Sequence, residues 1–282
     1  MMAHAPWVRG GDGLFHPTAY ARSGWSDDMV NGPALVGLAA LSMEHDDADG
    51  TVTGGFMPAR FTADLFRPAH RVPTSVRTRL VRDGRRIRIT ECDILQDGSA
   101  VARATTLQYR RSEPPPGREW VVSDNAFTPP AGVVATGAAY FVGSDDAGWG
   151  GSVGMGDGVD AHQNPSRKRV YHRAAELVAG AAASPFVRAV VAAEAASLVT
   201  NLGTAGIGYI NGDLTVALSR LPVGDYIGVQ ADSHWCADGV SVGSATLFDD
   251  RGPFGIGMVT AIANPAAQID FGRLKSGPTL QV

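Results

Sequence analysis

The chain repeats itself at a spacing of about 153 residues. Residues 61–67, FTADLFR, lie over residues 214–220, LTVALSR, at an offset of 153 (214 minus 61). Farther along, Thr106 and Thr260 are 154 residues apart (260 minus 106). Landmarks that recur in the same order at nearly one offset indicate an internal duplication. We therefore expect the 282 residues to form two similar units, each large enough to bury a core.

A helical run that begins with proline stands before each repeated segment. Pro33 follows an Asn-Gly pair and Pro185 follows a serine, and proline after such residues is a strong signal for the start of a helix. The first run, residues 33–45, is apolar on nearly every face, which is typical of a buried helix. The second run, residues 186–200, is interrupted by one arginine and by Glu194.

The segments after these helices have the pattern of strands. Leu214, Val216 and Leu218 alternate with small or polar residues, a period of two. Turn residues separate the later apolar runs. Residues 56–110 and 206–262 therefore each predict a meander of antiparallel strands. The expected fold class is α+β, with two antiparallel sheets that each wrap a central helix.

Composition and charge exclude several classes of protein. The net charge of −4 and pI near 5.9 leave no basic footprint for nucleic acid. No apolar stretch reaches the roughly 18 residues of a membrane span, and the N-terminus lacks the order of a signal peptide, so a cytoplasmic protein is expected. The histidines are scattered without metal-ligand spacing, so we expect neither a metal nor another cofactor. A linker rich in Pro and Gly divides the chain into residues 1–111, the linker 112–135 and residues 136–282.

A buried helix that leads into an antiparallel meander, twice in one chain, resembles the double hotdog of type II acyl-CoA thioesterases. The motifs that carry the resemblance are residues 62–68, 81–84 and 96–98 in the first half, and 209–216, 224–228 and 246–249 in the second. The resemblance implies a tandem hotdog fold and hydrolysis of an acyl-CoA thioester to free fatty acid and CoA. It also implies a small-molecule acyl-CoA substrate. Because hotdog sheets have open edges and broad apolar faces, we expect a homodimer or a larger homo-oligomer.

The resemblance also implies a set of site residues. In the family, an Asp at the start of the second meander acts with a Thr or Ser and with a Gln on neighbouring strands. The corresponding positions are Asp213, Asp232 and Thr260, so two of the three depart from the family pattern. Ser233 stands beside Asp232 as a further substrate-binding candidate. A turn is the alternative interpretation of Asp213, and a surface bend is the alternative for Asp232 and Ser233. The expected catalytic set is Asp213, Asp232 and Thr260.

The first half is expected to bind substrate without a second catalytic centre. Arg60 stands where the second half has Asp213. The backbone amides of Asn31 and Gly32, at the first helix start, could hold the thioester carbonyl, because helix N-termini attract developing negative charge. Simple N-capping is the other interpretation of Asn31.

Two other functions are compatible with the same sequence. One is non-catalytic binding of acyl-CoA or another lipid-like ligand. The other is a hotdog hydratase or dehydratase, which the absence of a paired Asp and His near a helix start disfavours. Release of free thiol from acyl-CoA would distinguish hydrolysis from both alternatives.

Overall fold

The computed structural model of the chain describes residues 5–44, 55–122, 126–132, 140–150, 158–173 and 176–273. The helices are α1 (Gly32–Ser42), α2 (Pro185–Ala193) and α3 (Ala196–Asn201). Short 3₁₀ turns lie at Ala19–Ala21 and Val159–His162. The strands are β1 (Trp7–Arg9), β2 (Phe15–Pro17), β3 (Phe56–Leu65), β4 (Ser75–Asp83), β5 (Ile87–Gln96), β6 (Ser99–Arg110), β7 (Tyr140–Ser144), β8 (Gly148–Trp149), β9 (Lys168–Arg173), β10 (Leu202–Gly203), β11 (Gly206–Ile207), β12 (Tyr209–Asn211), β13 (Asp213–Leu218), β14 (Tyr226–Ala237), β15 (Val240–Asp249) and β16 (Gly252–Ala263).

Most of these strands belong to one large antiparallel sheet. Its order is β4-β5-β6-β3-β13-β16-β15-β14-β9-β7-β8, and β12 pairs with β16 beside this path. The predicted two sheets are therefore the halves of a single sheet, which joins where β3 pairs with β13. This pairing satisfies the backbone groups of two strands that would otherwise be exposed edges.

The join between β3 and β13 reproduces the sequence repeat as a local two-fold axis. Thr62 lies opposite Thr215, and these residues are one repeat apart (215 minus 62 is 153). On either side, Phe61 pairs with Val216 and Ala63 pairs with Leu214, so the same rotation exchanges the two pairs. The duplication seen in the sequence thus corresponds to a symmetric seam.

The last strands of the two halves also correspond, with a shift of one residue from the sequence match. Thr106 lies opposite Phe61 and is fully buried. Thr105 lies opposite Thr62 and Met258 lies opposite Thr215, so the same repeat relates Thr105 to Met258 and the next residue, Thr106, to Val259. Val259 is likewise fully buried, so the structure pairs Thr106 with Val259 rather than with the neighbouring Thr260.

The helices pack on one face of this sheet and against each other. Every residue of α1 from Ala34 to Ala40 is buried, as its apolar composition predicts, and α1 packs on β4, β5, β6 and α2. The contact with α2 needs Gly37, because a Cβ atom there would lie 2.8 Å from Leu177 and from Val191. No helix among the described residues is long and apolar enough to cross a membrane.

The second helical run is broken where the sequence predicted one continuous helix. α2 ends at Ala193 and α3 begins at Ala196, with Glu194 and Ala195 in a turn between them. The Ala195 N–H donates to the oxygen of Ala192 instead of continuing the regular helical pattern. This break lies beside a cavity, and Glu194 is one of the residues that line it.

Candidate active site

A cavity of about 1160 Å³ lies between the start of α1, the turn after α2 and the ends of nearby strands. This volume is slightly above the range of about 300–1,000 Å³ that is typical of small-molecule sites. Its wall is largely apolar and includes Met29, Leu65, Val191, Leu198, Ile207 and Ile269. The cavity also contains a few polar side chains, and these determine what chemistry it can perform.

Glu194 brings a carboxyl group into this apolar space. It lines the cavity and is only partly buried, because the cavity itself reaches its side chain. The amide nitrogen of Asn211 donates a hydrogen bond to its Oε1 at 3.4 Å. Burial among protein atoms raises the pKa of Glu194 to about 8, whereas the bond from Asn211 acts in the opposite direction. A carboxyl with such a pKa can accept a proton near neutral pH.

The Glu194 carboxyl packs directly against Gly32, the first residue of α1. A Cβ atom at Gly32 would overlap Oε1 of Glu194, so a larger residue at this position would force the Glu194 carboxyl to move. The positive end of the α1 dipole faces the same point, which favours negative charge there. The turn after α2 and the start of α1 therefore meet in the wall of the cavity.

The start of α1 leaves one backbone donor open. Asn31 caps the helix, since its side-chain oxygen accepts from the Ala34 N–H at 2.9 Å and its amide nitrogen donates to the oxygen of Tyr20 at 2.9 Å. Pro33 has no N–H. In the part of the chain that the structure describes, the N–H of Gly32 has no hydrogen-bond acceptor. This donor is therefore available to a carbonyl oxygen in the cavity.

Two further polar side chains line the cavity from the paired strands β7 and β9. Tyr140 and His172 are register partners, with ring centroids 5.5 Å apart. They are 6% and 7% exposed. Burial lowers the pKa of His172 to about 4, so its ring is neutral at pH 7. Burial, and then the nearby Glu194 carboxyl, raise the pKa of Tyr140 above its ordinary value.

The structure brings together two of the three sequence-predicted catalytic residues. Asp213 accepts from the Thr260 backbone N–H at 2.6 Å and from the Thr260 hydroxyl at 2.8 Å. Neither residue is among those that line the cavity. Strand alternation places Asp213 on the opposite sheet face from its neighbour Leu214, which is fully buried.

Asp232 and Ser233 lie elsewhere, on β14, and β15 separates them from the strand of Thr260. The Thr246 hydroxyl donates to Asp232 at 2.7 Å, and Ser233 bonds to Ser244 at 2.8 Å. Burial raises the pKa of Asp232. Of the predicted catalytic set, only Asp213 and Thr260 are in contact, and the substrate-binding candidates Asn31 and Gly32 line the cavity.

The sequence interpretation missed Glu194, Asn211, Tyr140 and His172. Glu194 had a signal, because it is the one acidic residue in the apolar run 186–200. An acid in the middle of a buried helix needs a partner or a function. The other three gave no signal, since each is an ordinary polar residue in or beside a strand. No cluster of His, Cys, Asp or Glu suited to a metal ion occurs among the residues described.

Comparison with known proteins identifies the family. Residues 21–108 match the model of the acyl-CoA thioesterase N-terminal domain, and residues 143–258 match that of the acyl-CoA thioesterase C-terminal domain. The chain belongs to the acyl-CoA thioesterase family. Both halves of a two-domain thioesterase are therefore present, in the family order.

Solved structures agree with this assignment at the level of the fold. An acyl-CoA thioesterase II from Mycobacterium marinum is 14% identical with a TM-score of 0.58, over 92% of this chain and 96% of that chain. A TesB protein from Mycobacterium avium subsp. paratuberculosis is 14% identical with a TM-score of 0.61, over 92% and 96%. A hot dog fold protein from Alicyclobacillus acidocaldarius is 15% identical with a TM-score of 0.57, over 90% and 94%. None of the curated proteins matches the chain.

Proposed function

We propose that this thioesterase hydrolyses an acyl-CoA to free fatty acid and CoA in the cavity described above, with Glu194 as general base. The observation that carries the proposal is the packing of a carboxyl of raised pKa against Gly32, the residue whose N–H is open. Membership of the acyl-CoA thioesterase family supports thioester hydrolysis in general. The assignment of roles within the site is our inference from its geometry.

The proposed reaction uses both sides of this contact. The thioester carbonyl oxygen accepts from the Gly32 N–H at the positive end of α1, which stabilises the oxyanion that forms. The Glu194 carboxylate takes a proton from a water molecule, whose oxygen attacks the carbonyl carbon. Collapse of the tetrahedral intermediate breaks the C–S bond and releases CoA thiolate, which then takes up a proton. Asn211 orients the carboxyl through its hydrogen bond.

The carrier part of the substrate is proposed to lie along the rim of the cavity at Arg67. This arginine lines the cavity, is exposed, and has no ion-pair partner among the described residues. Arginine is well suited to phosphate groups such as those of CoA. The apolar wall inside would receive the acyl chain.

The sequence-predicted set of Asp213, Asp232 and Thr260 is kept as a second proposal for the groups that orient water. The contact between Asp213 and Thr260 supports it, and the place of Asp232 on a separate strand weighs against a shared water. Asn31, through its cap of α1, and Ser233 belong to this second set as substrate-binding candidates.

We further propose that the two halves are hotdog units with α1 and α2 as their central helices. The packing of α1 on β4, β5 and β6, and of α2 on β14, β15 and β16, supports this assignment. The domain boundaries 1–111 and 136–282, the homo-oligomer and the cytoplasmic location stay predictions. Part of the predicted linker 112–135 lies outside the described residues.

The test is thiol release from a panel of saturated acyl-CoA thioesters, with Glu194→Gln as the variant and Glu176→Gln as its control. Glu176 lines the same cavity, but its carboxyl accepts from the Gly180 N–H at 2.8 Å and has no place in the proposed reaction. Loss of thiol release in the first variant alone supports the proposal. Wild-type protein that binds acyl-CoA by calorimetry without releasing thiol would favour the non-catalytic alternative.

A further inference from the structure

Tyr140 and His172 form a polar pair inside an otherwise apolar region of the cavity wall. They are register partners on β7 and β9, and their side chains lie on the face that packs toward the helices, with Val142 and Val170. The other face of the same two strands carries Phe141 and Tyr171, which belong to a separate aromatic cluster. The position of the pair is therefore fixed by two strands and by an edge-to-face ring contact.

Neither side chain of this pair has a hydrogen-bond partner within the described part of the protein. Both are more than nine-tenths buried, and the two rings pack against each other. Nε2 of His162 is a buried polar atom without a partner. Tyr140 and His172 differ from it, because both residues line the cavity. A buried polar group without a partner is costly, so these atoms are suited to a partner that enters the cavity.

We propose that Tyr140 and His172 form a specificity subsite for a hydroxyl group on the acyl chain, so that the substrate is a hydroxyacyl thioester. This inference rests on the proposed thioesterase function. A neutral imidazole offers one donor and one acceptor, and a phenol offers the same, so the pair can both donate to and accept from one hydroxyl. A carboxylate or phosphate does not fit as well, because the neutral pair supplies no positive charge.

The position of the pair limits where the hydroxyl stands on the chain. Tyr140 and Glu194 line the same cavity, and after burial the Glu194 carboxyl is the second cause of the raised pKa of Tyr140. Since Glu194 is the proposed base at the thioester carbonyl, the subsite is near the reacting carbon. The hydroxyl is therefore expected on one of the first carbons of the acyl group, and we take the third carbon as the test case.

The experiment compares kcat/KM for 3-hydroxyoctanoyl-CoA and octanoyl-CoA, measured by thiol release with both hydroxyl enantiomers. The wild type is expected to prefer one hydroxyacyl enantiomer. Tyr140→Phe and His172→Phe should each reduce that preference by about threefold to tenfold, the usual effect of one hydrogen bond to a neutral group. Tyr209→Phe is the matched control, because Tyr209 also lines the cavity and should leave the preference unchanged.

The outcomes separate this inference from the proposed function. Thiol release with equal kcat/KM for both substrates, or a preference that neither Phe variant reduces, overturns the subsite and leaves hydrolysis standing. If neither substrate releases thiol, hydrolysis fails, and calorimetric Kd values decide the subsite: equal Kd for the two thioesters overturns it. Conversion of the hydroxyacyl thioester to an enoyl thioester, seen by ultraviolet absorbance, would support the subsite and replace hydrolysis with dehydration.

Discussion

Replacing Glu194 by Gln is the perturbation that most directly tests the proposed base. The substitution keeps the size of the side chain and its contact with Gly32, but it removes the group that accepts the proton. Removal of a positioned base reduces rates by about 10²–10⁴-fold. With a pKa of about 8, the wild-type carboxyl is about one-tenth ionised at pH 7 and about nine-tenths ionised at pH 9. The wild type should therefore gain about tenfold in kcat/KM between these pH values.

The same numbers predict how the effect of the variant depends on pH. The full loss of about 10²–10⁴-fold should appear near pH 9, and a loss about ten times smaller should appear near pH 7. The variant itself should show no such titration. The assay is a pH series of thiol release under kcat/KM conditions, with Glu176→Gln in parallel. A wild-type profile that is flat between pH 6 and 9, or a Gln variant as fast as the wild type, would refute Glu194 as the base.

Stability supplies an independent check on the raised pKa of Glu194. The folded state holds the proton up to about pH 8, whereas the unfolded state releases it near its ordinary value of 4.5. Stability from this group is fully present below about pH 4.5 and is lost as pH rises through 8. The loss is at most about 5 kcal/mol, because one pKa unit is worth about 1.4 kcal/mol, and solvent in the cavity reduces it. In Glu194→Gln, the free energy of unfolding measured by chemical denaturation should not show this part of the decline with pH.

Other changes test neighbouring parts of the interpretation. Gly32→Ala should reduce kcat/KM by about tenfold or more while the protein stays folded by circular dichroism, because the added Cβ displaces Glu194 from the oxyanion donor; normal activity would contradict that geometry. Arg67→Gln should raise KM for acyl-CoA but not for the acyl thioester of N-acetylcysteamine, which lacks the phosphates; equal effects on both would exclude a phosphate contact. Asp213→Asn should cost about 10²–10⁴-fold if Asp213 is the base and little if Glu194 is, and Asp232→Thr, which restores the family hydroxyl, should leave activity equal or higher. Light scattering at micromolar concentration should give a dimer or larger mass, and a monomer would contradict the predicted assembly.

In a strand, a difference of one position decides on which face of the sheet a side chain lies, and this limits the prediction of catalytic residues from sequence. Asp213 opens β13 and stands next to Leu214, whose side chain is buried. Because side chains alternate between the two faces of a sheet, a shift of one position moves a residue from one face to the other. The alignment of short motifs located Asp213 in the chain, but it could not decide that this carboxyl would bind Thr260 rather than face the cavity.

The sequence alone determined the elements and their repetition. Three local patterns carried this information: a proline after a capping residue, a run apolar on every face and a period of two. Each depends on near neighbours in the chain, so it can be recognised without knowledge of the fold. They located α1, the start of α2 and the two meanders. The family resemblance followed from the order of those elements, and the two domain matches confirm it.

Only the tertiary structure decided the site. Gly32, Tyr140, His172, Glu194 and Asn211 come from five different elements or turns, and no spacing in the sequence relates them. The raised pKa of Glu194 and the lowered pKa of His172 arise because folding surrounds both groups with protein atoms. Burial of that kind depends on how distant segments pack, so the residues that carry the proposed chemistry became visible only when the chain was folded around the cavity.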